Sequence, residues 1–191
     1  MADVSYYEQA AASPYAVAFL DAIAWAEGAD YNTLVGGRSF SDLSWHPGLY
    51  NAALNSTAAG RYQFLGSTWN DAASALSLPD FSPHSQDLAA LFLIDRRGGL
   101  DAVLSGDFDS AIHAVRKEWA SLPGAGYGQG ERSLDDLRSV FQSALGGAAT
   151  ATATTIYDAG GGESLAPSNT FFIGMLVALG LGAALWFEHG R

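Results

Sequence analysis

The stretch from Pro14 to Glu27, "PYAVAFLDAIAWAE", constrains the fold more than any other part of the chain. Leu20, Ile23 and Ala24 recur at three- and four-residue spacing, which predicts a helix with a buried inward stripe. Glu27 falls on that same stripe, and Gly28 directly after it predicts where the helix stops. A domain built around this helix therefore has a carboxyl group projecting from the helix end into whatever cavity lies there. Burial disfavours the ionised form and raises the pKa of such a carboxyl. Position alone still favours a plain role, a helix-terminal Glu bonded to backbone or to an arginine.

Other helices announce their starts. Ser82 and Pro83 open "SPHSQDLAALFLIDRRGG", Asp107 or Asp109 caps "SAIHAVRKEWASLPG", and Ser133 with Asp136 precedes "LRSVFQSALGG". A further helix is predicted from Ser67 to Leu78. Between Tyr31 and Phe64 the glycine pair Gly36-Gly37 separates "TLV" from "RSF", and "GRYQF" reads as extended, which predicts a small β lobe or hairpin. The expected class is thus α+β, a mainly helical domain with a small β lobe and Glu27 in the cleft between the two.

A length of 191 residues with 49% hydrophobic composition suits one globular domain plus an extra segment. With 20 acidic against 9 basic side chains the formal charge is -11, which argues against a nucleic-acid partner. The absence of cysteine removes disulfides, thiol catalysis and thiolate metal sites. His46, His84, His113 and His189 lack ligand spacing, so neither metal nor other cofactor is expected. Trp25, Trp69 and Trp119 lie on helix faces and read as core, whereas Trp45 lies in a loop.

The N-terminus lacks the basic region of a secretory signal. The C-terminus carries an uncharged apolar run at residues 170–187, near the lower length limit for crossing a bilayer, with Trp186 at its border. Gly174, Ala178 and Gly182 form a small-residue stripe on it, a candidate face for a partner helix. The predicted organisation is an N-terminal extension at 1–13, a catalytic domain at 14–145, a flexible linker at 146–169, a transmembrane helix at 170–187 and a tip at 188–191.

Read in order, "AFLDAIAWAEGAD", "LVGG", "SWHP", "AAGRYQF", "LPDFSPHSQD" and above all "WASLPGAGYGQGE" resemble the lambda-type endolysins, a lysozyme-like family of peptidoglycan lytic transglycosylases. The resemblance runs from about Ala18 to about Leu145. It implies that Glu27 is the catalytic acid and base, and that the C6 hydroxyl of N-acetylmuramic acid attacks the anomeric carbon, so no carboxylate nucleophile is required. It also implies that Tyr62 and Gln63 line the sugar site, with Tyr127, Gln129 and Trp45 as further glycan contacts. Asp30, Asp42 and Asn32 are auxiliary candidates. Asn32 stands where the lambda protein has an aspartate, which removes one possible second carboxylate. The implied partners are peptidoglycan glycan strands, a lipid membrane through residues 170–187, and a helix or virion protein through Gly174, Ala178 and Gly182. The expected placement is a single-pass protein of a phage virion membrane or host inner membrane, with the catalytic domain facing the wall. The rival readings are a hydrolytic muramidase on the same scaffold and a non-catalytic structural or glycan-binding protein of a viral membrane.

Overall fold

The computed structural model describes residues 2–128 and 130–157, with side chains through residue 147. Helix α1 (Val4–Ala11) is followed by α2 (Pro14–Glu27), which begins with Pro14 in its first turn, where a fixed φ and a missing N–H cost nothing. Phe19, Leu20 and Ile23 are buried along α2. The helix ends at Gly28, whose left-handed φ of 63° lets its N–H reach the carbonyls of Ala24 and Trp25.

Five more helices complete the body: α3 (Gly66–Leu76), α4 (Pro83–Arg96), α5 (Leu100–Ser105), α6 (Phe108–Val115) and α7 (Leu134–Tyr157). Helix α2 is the hub, touching α1, α4, α5 and α7. Phe108 of α6 joins α2 to α7, its ring 5.8 Å from Phe19 and 4.9 Å from Phe141. Tyr7 of α1 donates a 2.7 Å hydrogen bond to Asp95 of α4, so part of the expected N-terminal extension packs on the helical body. The predicted starts are visible as local hydrogen bonds. Ser82 accepts from the Ser85 N–H, Asp107 from the Ser110 N–H and Ser133 from the Asp136 N–H.

The structure corrects the expected α+β class. Among the described residues no strand forms between residues 31 and 64, and four isolated bridges stand in its place, among them Leu34 with Ala59 and Ala59 with Phe64. Positive φ at Gly36, Gly37, Gly48, Asn55, Gly60 and Gln63 turns the chain every few residues, so no pairing extends beyond a single bridge. The domain is helical with an irregular lip. Likewise α6 stops at Val115 and turns replace the expected continuation through Trp119.

The expected membrane anchoring is also corrected. Among the described residues no helix is long and apolar enough to cross a membrane. Residues 170–187, with Gly174, Ala178 and Gly182, lie outside the described residues. Helix α7 continues to Tyr157, into the stretch expected as linker; residues 158–169 lie outside the described residues.

Candidate active site

The end of α2, the lip and the turn after α6 enclose a cavity of about 220 Å³. Glu27, Tyr62, Gln63, Glu118 and Trp119 line it. Ser121 donates from its hydroxyl to Glu27 Oε1 at 2.5 Å. Arg132 sits beside the same helix end, its Nε 3.3 Å from the Ala26 carbonyl and its guanidinium 4.9 Å from the centre of the Trp25 ring. Burial pushes the Glu27 carboxyl up to about 6, outweighing the hydrogen bonds from Ser121 and the charge of Arg132, which both pull it down. The result is a carboxyl that holds a proton in mildly acidic solution and releases it within reach of neutrality. That is the range in which one group serves as acid and then as base.

Long-range hydrogen bonds hold the lip in place. Gly60 adopts a φ of 81°, and a Cβ there would stand 2.3 Å from Gln86 Oε1 and 2.8 Å from the Phe81 ring. Gln86 is wholly buried; it accepts from the Arg61 N–H at 2.9 Å and donates to the carbonyls of Tyr31 and Phe81. This clamp delivers Tyr62 and Gln63 to the cavity. Tyr62 is fully buried, with its hydroxyl donated to Asp87 at 2.5 Å and its carbonyl accepting from the Trp119 indole at 3.0 Å. The ring therefore forms a wall whose polar tip is already engaged. Gln63 holds a φ of 48°, a strained value for a side-chain-bearing residue, and its amide donates to the carbonyls of Gly60 and Thr33. Arg61 braces the same corner, ion-paired with Asp21 and lying over the Tyr31 ring at 5.0 Å.

Of the other candidate site residues named from the sequence, none of the described ones lines the cavity. Trp45 is 71% exposed in the lip. Asp30 is exposed and accepts from the Tyr31 N–H. Asp42 caps its own turn through Ser44, which holds its carboxyl below the usual range. Asn32 contributes its carbonyl to the Phe40 N–H. Tyr127 is exposed and donates to the Lys117 carbonyl. Gln129 lies outside the described residues. Among the described residues no group of three or more His, Asp or Glu is arranged to hold a metal.

Sequence reasoning passed over three residues at the site: Ser121, Arg132 and Glu118. The first lies inside "WASLPG", the stretch that carried most of the resemblance, so a signal was present. Arg132 and Glu118 look like ordinary surface charges until the turns after α6 bring them to the end of α2.

Comparison with known proteins adds to this geometry. Residues 17–148 match the family model described as Endolysin. The endolysin of Escherichia phage lambda is 46% identical over 142 residues, which cover 68% of this chain and 90% of that protein. The endolysin of Escherichia phage P2 is 42% identical over 151 residues, covering 68% and 92%. Among solved structures, a bacteriophage lambda lysozyme complexed with a chitohexasaccharide superposes with a TM-score of 0.67 at 44% identity, over 69% of this chain and 94% of that one. A second lysozyme structure from bacteriophage lambda gives 0.62 at 42% identity, with the same coverage.

Proposed function

Because this chain belongs to the endolysin family, whose members here are peptidoglycan-cleaving enzymes of the lysozyme-like fold, we propose that it works as a lytic transglycosylase with Glu27 as its one acid and base. The observation that carries this reading is the placement of Glu27, at a cavity wall, with its carboxyl pushed up to about 6 by burial.

In the first step the protonated Glu27 gives its proton to the oxygen linking N-acetylmuramic acid to N-acetylglucosamine, and the bond to the anomeric carbon breaks. The muramic acid C6 hydroxyl then bonds to that carbon and its proton returns to the Glu27 carboxylate. The ring closes as a 1,6-anhydro sugar, no water is consumed, and the acid is regenerated. Ser121 supports the first half, since its hydroxyl favours the carboxylate left when the proton departs. Tyr62 and Gln63 act as the wall along which the glycan lies. In the solved relative the bound molecule is a chitohexasaccharide, which supports an N-acetylated glycan as the occupant of this cavity.

One observation favours the hydrolytic rival. Glu118 lines the same cavity and supplies a second carboxylate, though one already paired with Arg97 at 2.7 Å. Zymography on peptidoglycan tests the common part of both readings. Wild type clears the gel and Glu27→Gln does not; clearing by a folded Glu27→Gln protein overturns the role given to Glu27.

A further inference from the structure

We infer that Glu118 is a glycan-binding residue, whose carboxylate accepts a hydrogen bond from a hydroxyl or acetamido N–H of the sugar chain. This rests on the reading of the cavity as a glycan site. Glu118 lies in the turns after α6, one residue before Trp119, and lines the cavity together with Glu27. Its side chain is 13% exposed, so the charge has lost most of its water. Arg97, just past the end of α4, donates from Nε to Oε2 at 2.7 Å. Among the described residues nothing donates to Oε1. That oxygen is not sealed in, because every fully enclosed side-chain oxygen or nitrogen among the described residues has a hydrogen-bond partner.

The pair makes little sense as a support for the fold. Arg97 is 45% exposed, and ion pairs of that exposure contribute little to stability. What Arg97 does supply is a fixed geometry: it holds one oxygen still and leaves the other, on a residue that lines the cavity, as an acceptor with no donor of its own among the described residues. An N-acetylated glycan is rich in the complementary groups, since each ring brings hydroxyls and an amide N–H. A carboxylate also turns away anionic ligands, so the sugar seated against Glu118 is one that presents neutral donors.

The test is binding of chitohexaose to the full chain carrying Glu27→Gln, which stops turnover, with and without Glu118→Leu or Glu118→Gln. A charge-assisted hydrogen bond lost to leucine weakens binding about tenfold or more, with glutamine intermediate because it keeps a neutral acceptor. In the otherwise wild-type enzyme the same substitutions raise KM on peptidoglycan more than they lower kcat. Arg97→Ala separates binding from mere bracing: it removes the pair yet leaves the Glu118 carboxylate, and it weakens chitohexaose binding less than Glu118→Leu does. Equal affinity for Glu118→Leu and its parent overturns this inference and leaves the proposed function standing. Equal losses for Arg97→Ala and Glu118→Leu also overturn it, by assigning the pair to structure. Failure of the Glu27→Gln parent itself to bind chitohexaose removes the underlying reading, and this inference with it.

Discussion

Replacing Glu27 with glutamine separates the energetic account of the site from its chemical one. The folded carboxyl titrates at about 6 against an ordinary 4.5, so the native state binds this proton more tightly than the unfolded chain does. The sign follows directly: below pH 4.5 both states are protonated and Glu27 costs nothing, whereas above pH 6 the folded protein must carry a buried charge. The difference between 4.5 and about 6 corresponds to about 2 kcal/mol of stability lost across that window. Glutamine keeps the shape and an oxygen for the Ser121 hydroxyl, but has no charge to bury. Glu27→Gln is therefore inactive, and its stability advantage over wild type grows by about 2 kcal/mol between pH 4 and pH 8. Urea unfolding of both proteins at the two pH values measures this, and subtracting one pH from the other cancels any fixed packing difference. A stability difference that stays constant between pH 4 and pH 8, or that moves in favour of glutamate at pH 8, refutes the claim that Glu27 is held as a strained acid.

Three further substitutions probe the surroundings. Ser121→Ala removes a hydrogen bond that favours the carboxylate, so the alkaline limb of the kcat/KM profile moves to higher pH; a shift to lower pH contradicts the assignment. Gly60→Ala drives a Cβ to within 2.3 Å of Gln86 Oε1 at a left-handed φ, and costs about 3 kcal/mol or more in urea unfolding; a cost below about 1 kcal/mol shows that the clamp yields easily. Tyr62→Phe withdraws the hydroxyl from Asp87 and leaves that half-sequestered carboxylate with Tyr31, which lowers stability by about 1–3 kcal/mol; an unchanged unfolding midpoint removes the hydroxyl from the structural network.

Features that depend on near neighbours were legible in the sequence. The course of α2 and the awkward place of Glu27 follow from apolar spacing over two turns and a glycine that ends them. The starts of α4, α6 and α7 follow from Ser82, Asp107 and Ser133, each bonding a backbone N–H three residues on. The lip was misread as a β lobe because "TLV", "RSF" and "GRYQF" have strand-like composition, while their geometry is imposed from outside. Gln86 reaches Arg61 from 25 residues away and Tyr31 from 55. The resemblance points to Tyr62 as a site residue and Tyr62 lines the cavity, yet the engagement of its hydroxyl by Asp87 has no local signal. Glu118 stayed hidden for a similar reason, since helical spacing runs on through "RKEW" and gives no hint that α6 stops at Val115.

The central claim is that Glu27 performs both proton transfers while the glycan's own hydroxyl, not water, closes on the anomeric carbon. Digesting purified peptidoglycan in water enriched in heavy oxygen and weighing the released fragments by mass spectrometry tests it most directly. The expected products are 1,6-anhydromuramic ends, lighter by one water than reducing ends and carrying no heavy oxygen. Reducing ends, each with one heavy oxygen atom at the anomeric carbon, would mean that water is the nucleophile and would contradict it.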